Sequence, residues 1–172
     1  MGYQKPSATT DADLPFLRRC VELAREALDD GDEPFGSLLV DVTGAVVFED
    51  RNRVQGGDQT RHPEFEIARW AAAHLTPEER AGATAYTSGE HCAMCSAAHA
   101  WVGLGPIVYA TSTAQLTAWL QEWGVAPGPV TPLPVGDVAP GIPTRGPAPE
   151  LADEVRDLHA RLHGAHEVHD PA

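Results

Sequence analysis

The chain has 172 residues, 42% of them apolar, which fits one domain with a sizeable hydrophobic core. Its formal net charge is −13, from 12 Lys+Arg against 25 Asp+Glu, and this balance argues against binding to nucleic-acid phosphates. No apolar run approaches the roughly 18 residues of a membrane span, and the polar N-terminus lacks the pattern of a secretory signal. These features predict a cytoplasmic protein without a membrane segment.

The first half of the chain predicts a helix followed by a β-hairpin. Residues 1–12 predict a flexible tail, and 13–172 a single domain. Apolar residues recur at helical spacing over 13–30, with Asp13 as a candidate cap and Asp30-Gly31 as a stop. Strands predicted at 37–41 and 45–49 form the hairpin, and a polar, Gly-rich loop follows at 52–61.

The second half alternates helices and strands. Helices are predicted at 63–75, 92–102, 114–123 and 150–163, with Pro63 in a first helical turn, where proline costs least. Strands are predicted at 83–88 and 107–111. Residues 124–149 are dense in Pro and Gly and predict a mostly irregular arm. The alternation predicts an α/β fold in which helices cover both faces of a mixed sheet.

A split set of metal-binding side chains carries the functional signal: His62-Pro63-Glu64, then Cys92 and Cys95. One imidazole and two thiolates are good zinc ligands and leave a fourth coordination position for water. Cys92 and Cys95, three apart at a helix start, share one helical face. Zinc lowers the pKa of its bound water to about 7, so hydroxide forms at neutral pH. Glu64 is then placed to move protons.

Two other interpretations of the cysteine pair stay open at this point. A closed structural zinc site needs a fourth protein ligand, for which His91, His99 and Cys20 are candidates. A redox pair of the thioredoxin kind needs the cysteines directly after a strand in a different order of helices and strands, and it leaves His62 and Glu64 without a role.

The combination of His-x-Glu with Cys-x-x-Cys resembles the zinc deaminases of the cytidine/deoxycytidylate deaminase superfamily. The similarity extends from about Pro34 to Thr111. It includes Pro34-Phe35-Gly36, Asn52-Arg53 and Thr87-Ser88-Gly89-Glu90, and the placement of Trp101 after Cys95 is similar to bacterial guanine deaminases. The resemblance implies a three-layer α/β/α fold with a mixed five-stranded sheet, one Zn²⁺ per subunit and a homodimer.

Three residues depart from the family pattern: His91 where proline is usual, Gly89 where cysteine or another residue stands, and Pro63 where alanine is usual. None of them removes a ligand or Glu64. His91 is either a residue of the pocket wall, where it hydrogen-bonds substrate, replaces a rigid backbone element or titrates near neutral pH, or a tolerated, solvent-facing replacement.

The resemblance also implies substrate-binding residues. Asn52 corresponds to an asparagine that hydrogen-bonds a ring edge, although a loop asparagine can instead cap its own turn. Trp101 and Phe35 can stack on a flat ring or fill the core. The predicted substrate-binding set is therefore Asn52, Phe35, Trp101 and His91.

The favoured function is hydrolytic deamination of a small nucleobase, nucleoside or related amino-heterocycle, with a guanine-type purine first. Glu64 is the predicted proton shuttle, and His62, Cys92 and Cys95 are the predicted zinc ligands. A tRNA adenosine deaminase has similar motifs but needs a cationic surface. A non-catalytic zinc module is the alternative outside enzymes, and it does not explain Glu64.

Overall fold

A computed structural model describes residues 5–165. Helix α1 spans Leu14–Asp29, strands β1 (Gly36–Val40) and β2 (Val46–Arg51) form the hairpin, and a 3₁₀ turn occupies Val54–Gly56. The remaining elements are α2 (Pro63–His74), α3 (Pro77–Gly82), β3 (Thr84–Gly89), α4 (Ala93–Val102), β4 (Ile107–Thr111), α5 (Thr113–Glu122), α6 (Val135–Val138), β5 (Thr144–Arg145), a 3₁₀ turn (Pro149–Leu151) and α7 (Ala152–Leu162). Each helix and strand predicted from the sequence is present within two residues of its predicted limits.

The five strands form one mixed sheet, as the resemblance implied. Their order in the sheet is β2-β1-β3-β4-β5. Strand β1 is antiparallel to both β2 and β3, whereas β3, β4 and β5 run parallel. Strand β5 is only two residues long and lies within the arm at 124–149, which the sequence predicted as irregular. It forms because β4 offers an open edge with which Thr144 and Arg145 pair.

Helices cover both faces of the sheet. Neighbouring residues of a strand point to opposite faces, so Leu38 packs with α1 and α7, whereas Leu39 packs with α2. Gly36 allows α1 to lie close to β1, because a Cβ atom there would be 2.4 Å from the backbone oxygen of Cys20. The predicted three-layer α/β/α arrangement is confirmed.

Helix α3 was not predicted, although its sequence signal is present. The Thr76 side chain accepts a hydrogen bond from the Glu79 backbone, and the Glu79 side chain accepts one from the Thr76 backbone. This reciprocal capping box stabilises the helix. The helix has only six residues and none of them is buried, so its sequence shows no apolar periodicity.

The start of the domain differs from the predicted tail and cap. The Ser7 backbone donates to the Thr144 carbonyl, and the Ser7 carbonyl accepts from Gly146, so this part of 1–12 is attached to β5. Residues 1–4 lie outside the described residues. Asp13 does not cap α1 with its side chain, since its carboxylate instead accepts hydrogen bonds from Arg145 and Tyr86.

Within residues 5–165, no helix is long and apolar enough to cross a membrane.

The Asp13–Arg145 pair should contribute measurably to stability. The Asp13 side chain is 3% exposed and Arg145 lies 2.7 Å from it, so removal of the guanidinium leaves a buried, poorly compensated carboxylate. Arg145→Ala should lower the free energy of unfolding by about 1–3 kcal/mol in urea titrations at pH 7. Arg161→Ala, which removes the partner of the exposed Asp29, is the control and should cost less than about 1 kcal/mol.

The same pair sets a dependence on pH. Burial alone would raise the pKa of Asp13, but hydrogen bonds from Arg145 and Thr10 outweigh it and hold that pKa below the usual value. A lowered folded-state pKa contributes stability above the unfolded-state pKa, and this contribution disappears as the pH falls through the folded-state value. The difference between wild type and Arg145→Ala should therefore shrink below about pH 4, and a constant difference would contradict the ion pair.

Candidate functional site

Two helix starts and the ends of two parallel strands meet at one edge of the sheet. His62 is the residue before α2, Cys92 is the residue before α4, and Cys95 lies in the first turn of α4. Strands β3 and β4 end beside them at Gly89 and Thr111. Helix N-termini carry unsatisfied N–H groups and a partial positive field, which stabilises thiolates.

The three predicted metal ligands lie together. The Nδ1 atom of His62 is 3.6 Å from the Sγ atoms of both Cys92 and Cys95, and one donor atom from each residue lies within 4.8 Å of the others. Tetrahedral zinc with Zn–N of about 2.0–2.1 Å and Zn–S of about 2.3 Å separates N and S by about 3.6 Å. The donor set therefore fits zinc, with His62 binding through Nδ1.

No fourth protein ligand joins this cluster within the described part of the chain. Cys20 is buried in the apolar core between α1 and the sheet, and the rings of His91 and His99 contact each other. The closed structural-zinc interpretation therefore lacks its fourth donor. A tetrahedral ion here keeps one position open, which is the arrangement of catalytic zinc sites.

Metal binding at this site is coupled to protons. A hydrogen bond from Cys95, opposed by burial and helped by His62, lowers the pKa of Cys92 to about 4. The same hydrogen bond, with burial and the nearby Glu64 carboxylate, raises the pKa of Cys95. The contact with Cys92 also raises the pKa of His62. Cys95 and His62 would have to lose their protons in order to hold zinc, so the affinity of the site for zinc should rise with pH.

Glu64 lies against the cluster in the first turn of α2. Its side chain is buried, and its Oε2 atom lies 3.8 Å from the Cys95 sulfur. Burial raises the pKa of Glu64, although His62 and a hydrogen bond from Ser37 act against the increase. A raised pKa makes the carboxylate a stronger base, which suits a group that accepts and returns a proton.

Two hydroxyl groups hold the other oxygen of Glu64, and the sequence analysis gave neither of them a role. Ser37 Oγ and Thr87 Oγ1 lie 2.8 Å and 3.0 Å from Glu64 Oε1, and 2.9 Å from each other. Thr87 also lies 2.8 Å from the Gly89 carbonyl. The two hydroxyls are brought together by the antiparallel register, which pairs Ser37 of β1 with Thr87 of β3.

Glu90 is a structural acceptor rather than a proton carrier. One of its carboxylate oxygens accepts from the Thr113 backbone and the other from the Val135 backbone, each at 2.8 Å. It therefore joins the starts of α5 and α6 to the end of β3.

A cavity of about 440 Å³ opens on His62, Glu64 and Cys92. One wall is the face of α5 that carries residues at positions i, i+3, i+4, i+7 and i+8, namely Thr113, Leu116, Thr117, Leu120 and Gln121. The opposite wall comes from the Pro-rich arm and includes Val125, Ala126, Pro127, Val130, Pro132 and Leu133. The arm thus lines a cavity of its own chain, and we call these two walls the outer cavity.

Phe35 is the predicted substrate-binding residue that lines this cavity. Its ring contacts the edge of the His159 ring, with centroids 5.0 Å apart. The departure at Gly89 has a steric reason, because a Cβ atom there would lie 3.0 Å from the Phe35 ring.

Asn52 is buried but does not line the cavity. Its Oδ1 atom accepts a hydrogen bond from the Val54 backbone, as the turn-capping interpretation predicted. Its buried Nδ2 atom has no acceptor among residues 5–165, so both N–H groups of this amide are unpaired.

His91 neither lines the cavity nor faces solvent, since it is 1% exposed. The solvent-facing alternative is therefore wrong, and the structure does not bring this residue into the pocket wall. Its ring meets the His99 ring edge-on at 5.3 Å, and neither ring nitrogen has a hydrogen-bond partner in the described chain. Burial and His99 hold the pKa of His91 well below its usual value, so the imidazole is neutral.

Trp101 is 89% exposed at the end of α4 and does not line the cavity. Neither predicted position, stacked on a ring or packed in the core, is found in this chain.

The residues that do line the outer cavity were not identified from sequence, because half-buried Leu116 and Leu120 show no pattern that distinguishes a cavity wall from a core face.

Loss of either thiolate should abolish stable zinc binding, since thiolates supply much of the affinity of such a site. Cys92→Ala and Cys95→Ala should each contain less than about a tenth of the zinc of wild type after dialysis against a mild chelator, measured by atomic absorption. Cys20→Ala is the control and should keep one zinc ion per chain. Full zinc occupancy in both α4 variants would contradict the assigned donor set.

Three curated relatives were compared with this chain. It is 35% identical over 118 residues to a probable cytosine deaminase of Schizosaccharomyces pombe, covering 69% of this chain and 72% of that protein. It is 36% identical over 97 residues to the guanine deaminase of Bacillus subtilis, and 32% identical over 95 residues to a tRNA-specific adenosine deaminase of Agrobacterium fabrum. Each of these two matches covers 55% of this chain and 62% of the relative.

Among solved structures, the guanine deaminase of Nitrosomonas europaea superposes with a TM-score of 0.65 at 20% sequence identity. The superposition covers 94% of this chain and 90% of that one, and at this identity it shows the shared fold.

Residues 10–111 match the family described as the cytidine and deoxycytidylate deaminase zinc-binding region. The matched segment contains His62, Glu64, Cys92 and Cys95, and it ends where β4 ends. The chain therefore belongs to the cytidine and deoxycytidylate deaminase family of zinc-dependent aminohydrolases, whose reaction is hydrolytic deamination.

Proposed function

We propose that this enzyme deaminates a small amino-heterocycle, a nucleobase or nucleoside with a guanine-type purine favoured, and releases ammonia. The observation that carries the proposal is the position of Glu64, whose buried carboxyl group lies 3.8 Å from the Cys95 sulfur and lines the same cavity as His62 and Cys92. A zinc ion at this donor set acidifies a water molecule and supplies the nucleophile at neutral pH.

Glu64 performs the proton transfers in this proposal. It takes a proton from the attacking water and gives it to a ring nitrogen, and it then transfers the second proton to the departing amine. The water oxygen bonds to the ring carbon that carries the amino group, the exocyclic C–N bond to that amino group breaks, and ammonia leaves while a carbonyl forms on the ring. The hydroxyls of Ser37 and Thr87 hold one carboxyl oxygen in place, so the other oxygen faces the reacting atoms.

Two further groups support binding of a flat heterocycle. Phe35 presents an aromatic ring to the cavity. Asn52 does not line the cavity of this chain, but its buried Nδ2 has no protein acceptor among residues 5–165, and an unpaired buried donor is costly unless another group completes it. Both residues stand in motifs that resemble the family's binding segments.

A tRNA adenosine deaminase is the second candidate, favoured by the Agrobacterium fabrum relative. The net charge of −13 opposes it, because tRNA binding is carried by cationic surfaces. A non-catalytic zinc module does not account for a buried Glu64 held by two hydroxyls beside the metal donors.

A homodimer is the assembly that we propose. The exposed Trp101 supports it, since a tryptophan with 89% exposure is unusual unless another surface covers it.

The function is tested by ammonia release from guanine, adenine, cytosine and their nucleosides with zinc-loaded enzyme. Wild type should release ammonia from at least one of them, and Glu64→Gln should keep its zinc while kcat falls by about 10²–10⁴-fold. Glu66→Gln, on the same helix in a surface ion pair with Arg61, is the control and should match wild type. The proposal fails if no compound is deaminated, or if Glu64→Gln turns over at the wild-type rate.

The hydroxyl pair is tested by variants that change one atom. Thr87→Val keeps the volume but removes the hydroxyl, so kcat should fall by about 10- to 100-fold with KM nearly unchanged, because a hydrogen bond to a charged group is worth about 1.5–3 kcal/mol. Thr87→Ser restores the hydroxyl and should recover most of the rate. If Thr87→Val retains full kcat, or if Thr87→Ser is as slow as Thr87→Val, the hydroxyl does not position Glu64.

A further inference from the structure

Several apolar side chains that line the outer cavity are only partly covered by the rest of the described chain. Helix α5 has no buried residue, yet Leu116 and Leu120 face inward on the surface that lines the cavity. Val125 and Leu133 of the arm are half-buried on the opposite side. Apolar side chains of a surface helix normally pack against the core. These four residues instead form an apolar wall that faces the cavity and that a ligand could cover.

The cavity has a larger volume than an unsubstituted heterocyclic ring occupies. Cavities of about 300–1,000 Å³ hold ligands of drug size, and this one has about 440 Å³. The metal donors and Glu64 occupy its inner end, where the amino-bearing ring carbon has to lie. The space beside α5 is therefore available for a group attached to the ring on the side away from the amine.

The charges of the lining exclude an anionic group there. Among the described residues that line the cavity, none is Lys or Arg, and the ionisable side chains are His62, Glu64, Glu90 and Cys92. Both carboxylate oxygens of Glu90 already accept backbone hydrogen bonds. A phosphate or carboxylate in the outer cavity would be desolvated near two carboxyl groups and without a cationic partner.

We propose that the substrates of this enzyme are neutral amino-heterocycles that carry an apolar substituent, which packs between α5 and residues 125–133. The inference rests on the proposed deaminase function and specifies the part of the substrate that does not react. Leu116 and Leu120 are its specificity-determining residues. Phosphorylated nucleotides are excluded by the same wall.

The test compares guanine, adenine and cytosine with their N-propyl derivatives, alkylated at the ring nitrogen that bears the sugar in nucleosides, and with the nucleoside 5′-monophosphates. The measured quantity is the ratio of kcat/KM for the propyl derivative to that for the bare base. Wild type should give a ratio of roughly ten or more, because each buried methylene contributes about fourfold. The monophosphates should be the poorest compounds of each series.

Variants of α5 assign the effect to the wall. Leu116→Asn and Leu120→Asn should each reduce the ratio by about tenfold. Ala118→Asn places the same side chain on the exposed, non-lining face of α5 and should keep the wild-type ratio. Circular dichroism and zinc content verify that each variant is folded.

The possible outcomes separate the two proposals. Absence of ammonia from every compound refutes the proposed function. Turnover of a bare base with a ratio of one or less refutes the apolar-substituent inference and leaves the deaminase function standing. If Leu116→Asn and Leu120→Asn change the sedimentation mass and leave the ratio unchanged, the wall is covered by a second copy and the inference is overturned.

Discussion

The buried carboxyl group of Glu64 is the constraint around which the rest of the site is arranged. A buried carboxyl is costly unless hydrogen bonds and nearby charges compensate it, and here Ser37 from β1 and Thr87 from β3 supply the hydrogen bonds. The positive ends of α2 and α4 place His62, Cys92 and Cys95 beside it. One carboxyl thus connects the sheet, two helices and the metal donors, so the geometry of each depends on the others.

The site is stabilised by residues that take no part in the chemistry. Glu90 joins β3 to α5 and α6 through two backbone hydrogen bonds, which places the outer cavity directly beyond the metal donors. The Asp13–Arg145 pair attaches the start of the domain to β5, although β5 has only two residues. Buried or half-buried polar contacts therefore compensate for the short strand and the irregular arm.

The inner and outer parts of the cavity differ in the chemical character of their side chains. The inner end contains ionisable groups whose pKa values are shifted by burial and by one another, which suits proton transfer. Among residues 5–165, the outer part is lined by apolar side chains and by no Lys or Arg, and such a wall discriminates by surface area and by exclusion of charge. The metal donors and Glu64 of the first part lie in the segment at 10–111 that matches the family. The α5 and arm residues lie beyond it.

Much of this protein was predictable from local patterns. The period of the apolar residues located the helices and strands, and the spacing of His62, Glu64, Cys92 and Cys95 located the metal site, because ligand type and helix-start position are properties of short segments. The pairing of Ser37 with Thr87, the burial of His91, the exposure of Trp101 and the walls of the outer cavity were not predictable in this way. They depend on strand register and on packing between residues that are far apart in the chain, and single-sequence periodicity does not report either of these.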